Sequence, residues 1–353
     1  MKLAPLSSHA PELDDRLDDH GQPLGETRVQ KPVELVVEAD EAGMRLDVVL
    51  VRRLPSLSRA RAKVLLEAGE VRLNGRRCRK GARVSAGDRV ALESEPEPSE
   101  FAAKPDTQLV LPIVHEDDWL VVIDKPAGVP SHPLRAHEIG TVASALVARY
   151  PDMAGVGWRP REPGILHRLD TGTSGLMLAA RDDMTFATLQ RALREGGIEK
   201  RYIALVHGIP EVQEIDLPIA PHPSDPRRVR TGMLRGDHVG RGERAAHTEI
   251  LKVTPVPGTQ ERVAEIEVRA GAAARHQVRA HLSSLGHPLL GDVLYGAPAL
   301  PGLDRHVLHA SRIELIHPAT GLQVAWQSPL PDALRRQALL ALERRKELPD
   351  EGR

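Results

Sequence analysis

One carboxylate in the chain stands out by its company. Asp170 lies in the string Gly164–Met177, GILHRLDTGTSGLM, between the cation Arg168 and the small residues Thr171-Gly172-Thr173-Ser174-Gly175. A carboxylate that acts as nucleophile or base must stay ionised, and a nearby guanidinium favours that form. Arg168 precedes Asp170 by two residues, so the two share a face of an extended segment without necessarily pairing. The apolar runs on either side predict strand, loop, strand, with one ionised carboxylate held in a crevice. Asp-Thr-Gly alone would equally suit a turn in which the Asp caps Thr171 or Gly172. The whole string is what points to chemistry.

Other chemistries fit less well. The 16 histidines invite a metal, but His276 and His281 are five apart, off one helical face, and no HExxH occurs. His167 with Asp170 could ligate a cation only against the charge of Arg168. Glycoside hydrolysis needs two carboxylates across the bond, and this motif offers one. The lone Cys78 forms neither an internal disulfide nor a Cys-based zinc site. No apolar run reaches the length of a membrane span, and the first twenty residues lack the apolar core of a secretory signal. The expectation is a cytoplasmic monomer that uses no metal, no cofactor and no membrane.

The elements that must position Asp170 follow from charge and periodicity. The net charge of −1 hides a segregation: residues 44–90 hold 13 Lys and Arg against 4 Asp and Glu, a net of +9. Residues 1–43 are net −6 and residues 91–120 net −7. A small basic block between acidic flanks suggests a polyanion-binding module. Within it, Leu46, Val49, Leu50 and Leu54 space as one helix face. ARAKVLLEA after Ser58 predicts a second helix stopped by Gly69, and Asn74-Gly75 predicts a hairpin. GARVSAGDRVAL predicts a further short strand pair. Arg59 and Lys63 lie four apart on one helix face, and Arg76 and Arg77 crowd the hairpin, which suits a phosphate backbone.

Residues 1–32 read as a disordered acidic tail, 33–92 as the basic domain, 93–108 as a Pro- and Glu-rich linker, 109–345 as the catalytic domain and 346–353 as a tail. In the fourth of these segments, 109–345, WLVVID, LMLAA, YIALVHG, VAEIEVRA and VLHASRIEL predict strands. TVASALVARY, TFATLQRALREG, ARHQVRAHLSSLG and PDALRRQALLALERRKEL predict helices. Strands and helices do not alternate regularly, so the fold class is α+β with a mixed, mainly antiparallel central sheet and flanking helices. Residues 221–249, rich in Arg, Gly and Pro, read as a basic loop that folds against RNA or as a surface insertion.

Residues Arg45 to Ala91 resemble the S-four-type (alpha-L) RNA-binding module. HRLDTGTSGL, with VVIDKPAGVPSHP, KRYIALVHG, HQVRAHLSSLGHPLLGDVLYG and LHASRIELIHPATG, resembles the RluA/RluD-type pseudouridine synthase family, in the family's order from about Val110 to Trp326. The resemblance implies that Asp170 is the essential aspartate, that Tyr202 stacks on a uracil, that Arg279 pairs with the aspartate, and that Leu315 lines the pocket. It implies isomerisation of uridine to pseudouridine in a base turned out of its stack. The expected target is large-subunit ribosomal RNA. Transfer-RNA uridines by the same chemistry, or a non-catalytic role in ribosome assembly, are the alternatives. RNA contacts are expected from Arg168, His167, Arg275 and His276, and from Arg59, Lys63, Arg76 and Arg77. Arg168 could also enter the stack in place of the displaced base. One departure stands out: Ala273, Ala274 and Arg275 occupy the place where the family usually carries Gly-Arg-Thr, which shifts a cation by one position.

Overall fold

The computed structural model describes residues 33–54, 57, 59–78, 81–92, 100–232, 242–259, 262–271 and 274–346. The expected tails and the body of the linker, residues 93–99, lie outside these residues, as does Ser58.

In the N-terminal unit, Leu46, Val49 and Leu50 form the buried face of helix α1 (Leu46–Arg53), and they pack on α2 (Arg59–Ala68). Gly69 ends α2 in the left-handed region, with φ of 76°. Asn74 and Gly75 both have positive φ, 50° and 76°, and close the tight turn between β2 (Val71–Leu73) and β3 (Arg76–Arg77). The predicted strand pair after them is one strand, β4 (Arg89–Leu92). Residues 81–88 instead hold turns and one bridge, Arg83 to Arg45, and the Asp88 carboxylate accepts from the Ser85 N–H and from Asn74 Nδ2. The partner of β4 comes from before the basic block. Strand β1 (Val33–Val36) pairs with it in the antiparallel order β1-β4-β2-β3.

The large sheet starts with β5 (Ile113–Glu116) and β6 (Leu120–Lys125) and continues with β7 (Ser174–Ala180) and β8 (Ile198–His207). It adds β9 (Glu214–Asp216) and, after the small hairpin β10 (Ile219–Pro221) with β11 (Val229–Thr231), the strands β12 (His247–Pro255) and β13 (Val263–Arg269). Strands β14 (Leu308–Ile316) and β15 (Gln323–Gln327) complete it. The order is β5-β6-β7-β14-β8-β13-β12-β9, with β15 beside β14. Among the described residues the β7–β14 pairing is parallel and the other ladders of this sheet are antiparallel. All seven residues of β7 are buried, as expected of a strand covered on both faces. Helices α3 (Val142–Arg149) and α4 (Asp183–Arg194) supply separate apolar clusters, the first with Met177 and Ala179, the second with Leu176 and Leu178. Their starts are capped by Thr141 and Asp182. Helix α5 (Gln277–Ser284) lies by the hairpin, and α6 (Asp332–Lys346) covers Leu205, Val263 and Leu290. No helix of the described residues is long and apolar enough to cross a membrane.

Two expectations change. Residues 100–108 are not a free linker: Ala103 joins the main core, and buried Asp106 accepts from the N–H groups of Gln108 and Gly140. The apolar lead-in to HRLD is not a strand either. Gly164 and Leu166 run beside β7 through Ala180 N–H to Gly164 O and Leu166 N–H to Leu178 O. The ladder then stops, because His167 Nε2 takes the Leu178 N–H and the Leu166 carbonyl accepts from Gln190 Nε2.

Gly175 sits at the parallel junction, paired with Ala310, at φ of 113°. A Cβ there would overlap the Ala310 carbonyl oxygen, so the close approach of β7 and β14 demands glycine. Gly175→Ala is expected to destabilise the protein by about 2–4 kcal/mol through strain and displaced backbone. Urea denaturation checks this; a midpoint unchanged from wild type would show that the junction relaxes freely.

Candidate active site

Arg279 is the hub of the site. It is a helical residue on α5, and its side chain is only 2% exposed. Its Nη1 donates to Asp170 Oδ2 at 2.9 Å. Its Nε and Nη2 donate to the two carboxylate oxygens of Asp292 at 2.8 and 2.9 Å, a two-pronged contact that fixes the guanidinium plane. The Tyr295 ring lies under the guanidinium, 5.0 Å from its carbon. Asp292 is 1% exposed, whereas Asp170 is 17% exposed. The triad therefore carries one net negative charge, presented on the carboxylate that solvent can reach.

His276 completes the surroundings. It caps α5 from the left-handed region, with φ of 53°, and so enters the site from the turn and not from the helix face. Its Nε2 is 3.8 Å from Asp170 Oδ1, and its Nδ1 is 3.0 Å from Tyr295 Oη. Tyr295 Oη accepts from the Val229 N–H and shares a hydrogen bond with His276 Nδ1. Tyr202 is buried on β8, and burial, then the charge of Asp170, hold its phenol well above the usual range. Burial does the same for Tyr295. Both phenols stay neutral around an ionised carboxylate.

The loop bearing Asp170 is held residue by residue. Ser131 Oγ donates to the Leu169 carbonyl and accepts from its N–H. The Thr171 carbonyl accepts from the buried Lys125 ammonium and from the Gly128 N–H. Arg305 donates to the Gly172 carbonyl at 2.8 Å, His306 bonds Thr173 Oγ1 at 2.8 Å, and His309 bonds Ser174 Oγ at 2.9 Å. The quoted strings DKPAG, SHP and LHAS thus earn their places as anchors of the fourth, HRLD.

The structure brings Asp170, Arg279, Tyr202 and His276 together and separates other expected residues. His167 does not face a substrate: its Nε2 is spent on Leu178, its Nδ1 is buried, and burial, then Lys200, push its pKa well down. Leu315 does not line this site. It pairs with Ile198, packs under α4, and lies five residues along β14 from Ala310, roughly 16 Å at strand spacing. Arg275 donates to the carbonyls of Pro226 and Arg227 and so braces the segment before β11. Ala274 packs against Ile219, Val229 and Tyr295, so the departure at this position fills an apolar niche. Part of the basic loop is thereby built structure, while residues 233–241 lie outside the described ones. Arg168 is exposed at the rim, 3.2 Å from His132. Lys63, Arg76 and Arg77 are exposed on the N-terminal unit, and Arg59 opens α2. Sequence reading passed over Asp292, Tyr295 and Lys125, although all three stand in the quoted strings.

The chain is similar to known proteins along most of its length. A family profile described as RNA pseudouridylate synthase matches residues 119–284, and the S4 domain profile matches residues 44–90. A Synechocystis protein named as an uncharacterized RNA pseudouridine synthase is 37% identical over 84% of this chain and 90% of its own length. The ribosomal large subunit pseudouridine synthase D of Pseudomonas aeruginosa is 33% identical over 86% of this chain and 93% of its own. Among solved structures, human RNA pseudouridylate synthase domain containing 4 aligns with a TM-score of 0.49 at 25% identity, over 66% of this chain and 93% of the human one.

Lys200 sits two residues before Tyr202 on β8, 3% exposed, and burial lowers its pKa to about 8. An unfolded lysine titrates near 10.4, so between about pH 8 and 10.4 the unfolded chain binds a proton that the folded protein does not. The contribution of this site to stability therefore rises with pH across that window. Lys200→Met is expected to raise stability at pH 7 by up to about 3 kcal/mol and to flatten that rise. Denaturation midpoints at pH 7 and pH 10 check it; parallel wild-type and variant curves would refute the burial argument.

Proposed function

The chain belongs to the RNA pseudouridylate synthase family, and we propose that it isomerises uridines of large-subunit ribosomal RNA with Asp170 as its catalytic carboxylate. The observation that carries the assignment of residues is the Asp170–Arg279–Asp292 triad, an ionised carboxylate pinned by a buried guanidinium beside a neutral tyrosine. The names of relatives that align along most of the chain support the choice of RNA.

The reaction moves one bond. The C1′–N1 glycosidic bond of uridine breaks, C1′–C5 forms, C5 loses its proton and N1 gains one. Atoms and electrons balance without an oxidant or a nucleotide. The target base must leave its stack to rotate, and in this reading the Tyr202 ring stacks on it beside Asp170. Attack on the ribose and removal of a proton both require the carboxylate ionised. Arg279 Nη1 holds one carboxylate oxygen of Asp170, and His276 Nε2 lies 3.8 Å from the other. Asp292 touches no substrate in this scheme; it is a positioning residue that acts through Arg279. The N-terminal unit, with Lys63, Arg76 and Arg77 exposed and Arg59 at the head of α2, supplies sequence-independent contacts to phosphate.

Asp170→Asn is expected to abolish pseudouridine formation in ribosomal RNA fragments while leaving RNA binding in place, as read by chemical pseudouridine mapping and filter retention. A variant that still converts uridine would remove Asp170 from the chemistry. Asp292→Asn should lower kcat by about 100-fold, because a misplaced reacting group costs that much, with little change in KM for RNA. An equal rise in KM would instead assign Asp292 to substrate binding.

A further inference from the structure

The turn that leads into β11 holds a second cation beside the site. The Arg228 guanidinium lies over the Tyr295 ring, 5.4 Å from its centroid, and its Nε is buried without an acceptor. Arg279 lies 5.0 Å from the same centroid, so one ring serves two guanidiniums. Their circumstances are opposite. Arg279 is closed between Asp170 and Asp292, whereas Arg228 is partly exposed and forms no ion pair among the described residues. The charges next to it in the chain are already spent. Arg227 grips both oxygens of Asp225 at 3.0 Å, and Arg230 pairs with Glu243 at 3.0 Å. Asp225 also feels the charge of Arg228, but both its oxygens are taken.

The backbone about Arg228 is fixed on both sides. Its N–H donates to the Asp225 carbonyl at 3.1 Å, and its carbonyl accepts from the His222 N–H at 3.2 Å. The Val229 N–H donates to Tyr295 Oη at 2.9 Å, which docks the strand on the ring. Arg275, expected at the RNA, instead donates to the carbonyls of Pro226 and Arg227 at 3.0 and 3.2 Å. The turn is thus held from α5 just before Arg228 and from Tyr295 just after it.

We propose that Arg228 binds one phosphodiester of the RNA strand entering the site, and that Arg275 is a positioning residue that holds the turn for it. This rests on the reading of RNA as the substrate. A guanidinium over a ring keeps edge donors for oxygen, and its planar fork matches a phosphate. The turn is built before RNA arrives, so little ordering remains to oppose binding. The departure at Ala274 and Arg275 then has a physical account. The cation shifted by one position serves the turn, and the contact with the anion passes to Arg228.

The test reads binding. Stem-loops of large-subunit ribosomal RNA, unmodified or with single neutral methylphosphonate linkages stepped through the loop, are titrated at several salt concentrations. The proteins are wild type, Arg228→Gln, Arg228→Lys, Arg275→Gln and the double Gln variant. Arg228→Gln should bind unmodified RNA about tenfold more weakly, the size of one charge-assisted contact. Its salt slope should be smaller by about 0.7–0.9, and Arg228→Lys should recover the slope. One linkage should weaken wild-type binding by about tenfold and leave Arg228→Gln unaffected. Arg275→Gln should weaken binding when Arg228 is present and add nothing once Arg228 is Gln. Equal losses at every linkage, or wild-type affinity and slope in Arg228→Gln, would overturn the contact. Additive losses in the double variant would overturn the positioning role of Arg275. If wild type formed no pseudouridine in these RNAs while the slope change held, the proposed function would fail and the phosphate contact would stand.

Discussion

A single buried cation governs this molecule. Arg279 has no solvent to satisfy it, and two carboxylates must therefore close around it. Removing one partner from such a group typically costs 3–5 kcal/mol, because the remaining charge is stranded in a poorly polarisable interior. That penalty makes the arrangement self-enforcing. Asp292, wholly enclosed, takes two of the guanidinium's nitrogens and dictates its plane. The third nitrogen can then point in one direction, and Asp170 is found there. The exposed carboxylate inherits its position from the hidden one.

The charge balance has a second effect. The two tyrosines about Asp170 are held neutral by burial. Positive charge stands behind the carboxylate in Arg279, so the site presents a single negative group. The repulsion between that group and phosphate keeps the backbone out of the crevice and leaves room for an uncharged base.

Much of this was legible in the sequence, for identifiable reasons. The strings around Asp170, Tyr202 and Arg279 are dense in residue types that short-range rules read well, and the apolar runs of β6, β7, β8, β13 and β14 are unambiguous. The α+β class followed from their irregular alternation with helices. What escaped was long-range. Asp292 and Tyr295 matter because the chain returns them to Arg279, and no local period announces that return. Leu315 was misplaced because the resemblance marks an apolar segment by the pocket but does not say which end of that strand adjoins the site. His167 was expected to contact RNA, but its ring terminates a backbone ladder beside β7, a long-range placement that the local string does not announce. Short strands such as β1 and β9, four and three residues long, carry too little pattern to be recognised without their partners.

The stitching of the HRLD loop has a consequence for how the protein comes into being. Its anchors arrive from residues 125–131, from Arg279 and from residues 305–309, so the loop is finished by contacts that span most of the chain. Such non-local closure is slow and late in folding. A growing polypeptide can hold the Asp170 segment outside the ribosome for more than a hundred further residues without a working geometry. Synthesis itself then acts as a timer, and competence arrives all at once, when the last strands close on the loop.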